Sequence, residues 1–165
     1  MNFNQPLFSP SDVQGKCSIQ PSTLRDWRSR DFSKHIGTVG ENGRWKYSAV
    51  DMVELAIANL ATRSGIEGHL AFKAAKECAP VAFHFWGAPV TPTPPRFAVF
   101  WRRTPVDVVT PLDQMFDWDR TDSLEDLANV GGAASFIFDG RTFATNYQDL
   151  GQWLQAQLEN EGGKK

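Results

Sequence analysis

Cysteine is scarce in this chain: only Cys17 and Cys78 occur in 165 residues, far apart and without a Cys-x-x-Cys neighbour. That excludes a disulfide scaffold and a cysteine-ligated zinc site, and leaves both thiols as small buried hydrophobes. Long apolar runs are missing too. The longest reach a few residues, as in Phe97–Trp101, against the roughly 20 that a membrane-spanning helix needs. Residues 1–6 show no basic start followed by an apolar run, so no secretion signal and no membrane association are expected, and the cytoplasm is the expected compartment.

Recognisable catalytic groupings are also lacking. His69 and His84 have no nucleophile or ligand partner at a telling spacing. The acidic run of Asp113, Asp117, Asp119, Asp122, Glu125 and Asp126 lacks the register of a calcium loop and reads as a solvated, helix-capping stretch. Gly131-Gly132 precedes a candidate strand instead of following one, so it does not form a phosphate-cradling loop. Trp86, Trp101, Trp118 and Trp153 could line an apolar ligand pocket, but in a small domain such rings are ordinarily core. No enzymatic activity, metal or cofactor is expected.

What is present is a globular composition, 41% hydrophobic and 22% charged, at a length suited to one large or two small domains. The net charge of −2 is unevenly spread: residues 1–80 carry ten Lys/Arg against eight Asp/Glu, residues 81–165 seven against eleven. Between 16 and 46, Lys16, Arg25, Arg28, Arg30, Lys34, Arg44 and Lys46 face only Asp26, Asp31 and Glu41. A local basic surface of this kind suits phosphate contact, because distant acidic groups are screened beyond about 8 Å at physiological salt. A mixed, solvated face is the alternative.

Four of the ten prolines fall in residues 89–95, a density that favours a stiff extended connector. The expected organisation is therefore a domain at 1–80, a proline-rich connector at 81–95, a second domain at 96–160 and a polar flexible tail at 161–165. In the first domain, Ser9 ahead of Pro10 marks the cap of a short helix to about Lys16, and Ser22 is a candidate cap for a helix to about Arg30. Leu24 and Trp27 share one face of that helix, over Val13 and Ile19. The pair makes a helix-turn-helix candidate. Asn42-Gly43 between β-favouring runs signals a type I′ hairpin with a basic returning strand. Ser48 caps a helix to Arg63, with Val53, Ala56, Ile57 and Leu60 inward and Gly65 as its stop, and a further helix follows over 66–77, ending before Pro80.

Two stretches, residues 21–27 (Pro-Ser-Thr-Leu-Arg-Asp-Trp) and residues 42–48 (Asn-Gly-Arg-Trp-Lys-Tyr-Ser), resemble the recognition-helix start and the wing of the MerR family of transcription regulators. The resemblance covers about residues 7–79. It implies a winged helix-turn-helix domain that binds double-stranded DNA in transcription regulation. The family's wing arginine would align with Trp45, with Arg44 one place earlier, and the chain meets a proline-rich segment where family members commonly continue into a dimerisation helix. The free first turn of such a helix offers amides and the hydroxyls of Ser22 and Thr23 to phosphate. Arg25 and Arg28 are expected in or beside the major groove, Arg30 on the same helix, and Arg44 and Lys46 on the flanking backbone. Arg25 salt-bridged to Asp26 or Glu41 is the competing arrangement. Trp27 and Tyr47 read as core, and Lys34 and His35 as either phosphate contacts or solvated groups.

In the second domain, residues 96–101, 106–110 and 134–138 read as strands, 123–129 as a helix, Asp139-Gly140 as a turn into a possible hairpin strand at 141–145, and 147–159 as an amphipathic helix with Leu150, Trp153, Leu154 and Leu158 inward. The expected fold is α+β: an N-terminal winged helix-turn-helix domain followed by a small α/β domain for dimerisation, partner contact or effector sensing. A homodimer is expected, because one small module gives limited specificity. An excisionase-like architectural factor, or a ligand- or protein-binding adaptor that no longer binds DNA, are the alternatives.

Overall fold

The computed structural model describes residues 2–102, 116–123, 125 and 134–163. The expected strand at 106–110, the acidic residues Asp113 and Asp126, and most of the expected helix at 123–129 lie outside them. The described residues form a mixed α and β structure in two compact units, Met1–Ala79 with Tyr147–Lys165, and Pro80–Asn146. Among them, no helix is long and apolar enough to cross a membrane.

The first unit starts as its capping residues dictate. Ser9 accepts from the Asp12 amide at 3.3 Å and the Asp12 carboxylate accepts from the Ser9 amide at 2.7 Å, a reciprocal cap that opens α1 (Pro10–Cys17). The second helix, α2 (Pro21–Ser29), begins before the expected cap. Its N-cap is Gln20, which makes no side-chain bond, and Pro21 takes the first helical position, where a fixed φ helps and a missing N–H costs nothing. Ser22 consequently lies inside the first turn.

A hairpin of β1 (Thr38–Val39) and β2 (Trp45–Lys46) pairs Thr38 with Lys46 and Val39 with Trp45. Its loop is not type I′: only Gly43 has positive φ, at +72°. The Gly43 amide donates to the Gly40 carbonyl at 2.9 Å and the Gly40 amide to Arg44 at 2.8 Å. That is the pattern of a three-residue loop, Glu41 to Gly43, which needs one left-handed residue instead of two.

Ser48 and Asp51 form a second reciprocal cap and open α3 (Ala49–Arg63). Every residue from Met52 to Ala58 is buried, so α3 is the core helix of the unit. Leu60, expected inward, is exposed, whereas the next residue, Ala61, is fully buried, so the covered side of the last turn passes through 61 and not 60. Gly65, at φ +89°, follows as the stop.

The next helix, α4 (Gly68–Phe85), runs through Pro80 instead of ending before it. The proline removes one helical bond, to the Lys76 carbonyl. The complete burial of Val81 and Ala82 offsets that loss. The unit boundary accordingly lies within α4, not in the proline-rich residues, which belong to the second unit.

In the second unit β3 (Phe97–Arg102) is the centre of a three-stranded sheet, antiparallel to β4 (Phe116–Thr121) on one side and β5 (Ala134–Asp139) on the other. Strand β4 stands where part of a helix-capping acidic stretch is expected from the sequence. Its alternation of Phe116, Trp118 and Arg120 with Asp117, Asp119 and Thr121 has the period of a strand. Residues 140–146 are helix α5 (Gly140–Asn146), not a hairpin strand. The Asp139 carboxylate causes the switch by accepting from the Arg141 amide at 3.0 Å and the Thr142 hydroxyl at 2.8 Å. Phe138 and Phe143 pack at 5.3 Å, and the Trp86 indole donates to the Ala144 carbonyl at 3.0 Å.

The last helix, α6 (Gln148–Gly162), buries Leu150, Leu154 and Leu158 as expected, but in the first unit. Trp153 explains this: its ring lies 4.9 Å from Phe8 and beneath the Lys16 ammonium at 5.2 Å. The helix also extends into the segment expected to be a flexible tail, as far as Gly162.

Arg96 holds Asp139 with two bonds, at 2.9 and 2.6 Å. That fork, with the Thr142 hydroxyl, lowers the Asp139 pKa from 3.8 to about 2. A depressed carboxyl contributes stability above its unfolded pKa and loses it as pH falls through the folded value. The melting-temperature advantage of wild type over Asp139→Asn should therefore be full at pH 6 and shrink between pH 4 and 2; an advantage constant with pH would contradict it.

Candidate nucleic-acid interface

The α1–turn–α2 pair is locked from beneath by Val13, Cys17, Ile19, Leu24 and Trp27, all buried. Trp27 meets Phe72 of α4 edge-on at 5.1 Å. With that side inward, α2 leaves Ser22, Arg25, Asp26 and Ser29 exposed and Thr23 half-buried. The first helical bond runs from the Leu24 amide to the Gln20 carbonyl, so the Ser22 and Thr23 amides precede it and carry the positive end of the helix dipole.

The three arginines at and beside α2 have different surroundings. Arg25 is exposed and, among the described residues, makes no ion pair with Asp26, Glu41 or any other carboxylate. Arg30 is exposed but tied to Asp26 at 3.1 Å. Arg28 does not project freely: it is half-buried, donates a hydrogen bond to the Tyr47 hydroxyl, and stacks on the Trp45 ring at 3.8 Å. Removal from water lowers its pKa. Its position one turn after Arg25 brings it to the hairpin.

On the hairpin, Arg44 is exposed, with its backbone amide held by Asn42 Oδ1 at 3.1 Å. Lys46 is half-buried, and its ammonium donates to the Leu7 carbonyl at 3.4 Å. Lys34 is exposed, whereas His35 Nε2 lies 3.0 Å from Oε2 of the buried Glu54. Burial raises the Glu54 pKa despite the His35 hydrogen bond. Among the described residues, the basic groups between 25 and 46 thus divide into three exposed side chains without an ion pair, Arg25, Lys34 and Arg44, and three held by a neighbour, Arg28, Arg30 and Lys46.

Tyr47 is core, as expected from its sequence, and it also organises the site. Its backbone exchanges hydrogen bonds with Phe8 at 2.8 and 2.9 Å, joining the N-terminal segment to the hairpin. A side chain at Gly37, which has φ +77°, would come within 3.0 Å of the Tyr47 ring. Trp45 was not expected to take part. Its alternation with Tyr47, two residues on, is the signal the sequence offers.

Cys17 is buried, its thiol bonded to the Met52 carbonyl at 3.3 Å and its pKa pushed up to about 12 by desolvation, so it is an inert packing group. Cys78 is likewise buried and forms no disulfide. Among the described residues, no group of His, Cys, Asp and Glu could hold a metal ion. No protein-family model and no curated protein matches the chain.

Removing the acceptor of the Arg28 hydrogen bond in Tyr47→Phe should lower stability by about 1–2 kcal/mol. It should also speed amide exchange in residues 38–46 more than in α3. Uniform acceleration in chemical-denaturation and hydrogen-exchange measurements would mean that Arg28 does not tie the hairpin to α2.

Proposed function

We propose that the first unit binds double-stranded DNA, with α2 in the major groove and the hairpin as a wing along the backbone, and that the chain is a non-enzymatic, cytoplasmic transcription regulator of the MerR-like winged helix-turn-helix type. The observation that carries this reading is the exposed side of α2. Ser22, Arg25 and Ser29 face solvent, and Arg25 has no carboxylate partner among the described residues, in a segment of net charge +4 over 16–46. A nine-residue helix is about 13 Å long, and a major groove about 12 Å wide admits it.

In this reading Arg25 takes the bidentate contact to guanine O6 and N7, an interaction worth about 1–3 kcal/mol of discrimination. The Ser22 and Thr23 hydroxyls and the open amides of the first turn meet phosphate, and Arg44 and Lys46 follow the flanking backbone. Arg30, neutralised by Asp26, contributes less. The second unit serves dimerisation, partner contact or effector sensing, and a homodimer presents two copies of α2 to a symmetric site.

Selection from a randomised duplex pool tests this. Wild type should enrich a symmetric motif, with affinity falling steeply as salt rises, while Arg25→Ala should bind the selected site on the order of 10–100-fold more weakly and lose the motif. Equal enrichment by both proteins would remove α2 as the reading element. Sedimentation of the wild type as a monomer, free and on DNA at micromolar concentration, would remove the dimer.

A further inference from the structure

Arg28 stands in an unusual electrostatic position. It is half-buried, yet among the described residues it forms no ion pair, whereas Arg30 has Asp26 and Arg96 has Asp139. What holds it is neutral: the Trp45 ring at 3.8 Å, the Tyr47 ring at 5.5 Å and the Tyr47 hydroxyl. Aromatic faces attract a cation without cancelling its charge. A guanidinium taken partly out of water and given no anion in return is stabilised further by any oxyanion that reaches it.

Its geometry is suited to one kind of anion. The guanidinium carbon sits 3.8 Å over the Trp45 ring, and Tyr47 takes one of the five N–H donors, so the head group is held at two points and the remaining donors keep the planar fork geometry of arginine. Such a fork matches two oxygens of a phosphate or a carboxylate. The setting favours phosphate: Arg25, exposed and without a carboxylate partner among the described residues, is one turn earlier on α2, in a segment of net charge +4 over 16–46. We propose that Arg28, clamped between α2 and the hairpin by Trp45 and Tyr47, is a preformed phosphate-binding site and not a reader of bases. Where the phosphate is a phosphodiester of duplex DNA, the inference rests on the proposed DNA-binding function. A free phosphate group offers the same chemistry without it.

The site can be tested on the wild-type chain by following the Arg28 Nε–H and Trp45 indole N–H signals by NMR. Inorganic phosphate is titrated in one series and random-sequence duplex in another, each against chloride at equal ionic strength. In parallel, the salt dependence of duplex binding is compared between wild type and Arg28→Gln. The expected result is a saturable shift of both signals with phosphate and with duplex. The slope of log affinity against log salt should be shallower by about one in Arg28→Gln, with the selected motif unchanged. A response to phosphate without duplex binding would keep the Arg28 site, assign it to a free phosphate ligand and remove the DNA function. Duplex binding with unmoved Arg28 signals and an unchanged slope would overturn the phosphate site and leave the DNA function standing. Silence in both series would overturn both. Because the titrations need no variant, they decide the matter even if Arg28→Gln fails to fold.

Discussion

The complete burial of Tyr47 constrains the whole first unit. A two-stranded hairpin with strands of two residues cannot hold itself in water. Here its returning strand ends in a side chain that is fully enclosed, a backbone paired with Phe8 and a hydroxyl that accepts from Arg28. The next residue, Ser48, is already the cap of α3. Within five positions, from Arg44 to Ala49, the chain passes from an exposed loop to the core helix, and this fixes the position of the hairpin beside α2.

The surface proposed to bind DNA follows from that anchorage. Once Leu24 and Trp27 are committed to the core and Arg28 to the hairpin, the side of α2 left to solvent carries Ser22, Arg25, Asp26 and Ser29, with Asp26 paired to Arg30. The hairpin adds the exposed Arg44. A contact made by a pre-positioned side chain loses less conformational entropy on binding than one made by a free side chain. The second unit depends on a different clasp. Arg96 grips Asp139 at the end of β5, and the same carboxylate opens α5, so one residue closes the sheet and starts the helix that packs Phe143 on Phe138.

The signals that could be read in advance were the local ones. Ser9 with Asp12 and Ser48 with Asp51 specify helix starts because the bonds they make are three residues long. The buried face of Leu24 and Trp27 follows from helical spacing, and the existence of the hairpin from Asn42-Gly43. Finer features were decided elsewhere. Pro21 outranked Ser22 as the start of α2, and the hairpin loop settled on one left-handed residue, Gly43. Asp139 turned an apparent hairpin into a helix cap. The acidic residues of 116–121 hid the alternation that makes β4.

Linear spacing thus specified the two short helices, the hairpin and the core helix, together with the residues able to form a basic surface. It could not say which arginine stays free. Arg25, Arg28 and Arg30 are equivalent by chemistry and nearly so by spacing, and each was differentiated by a neighbour: solvent, the Trp45–Tyr47 clamp, and Asp26. The clamp lies across a separation of 19 residues, from Arg28 to Tyr47. The return of α6 to Phe8 and Lys16 spans far more. Such pairings depend on packing summed over the whole unit, and no short window of the chain contains that information.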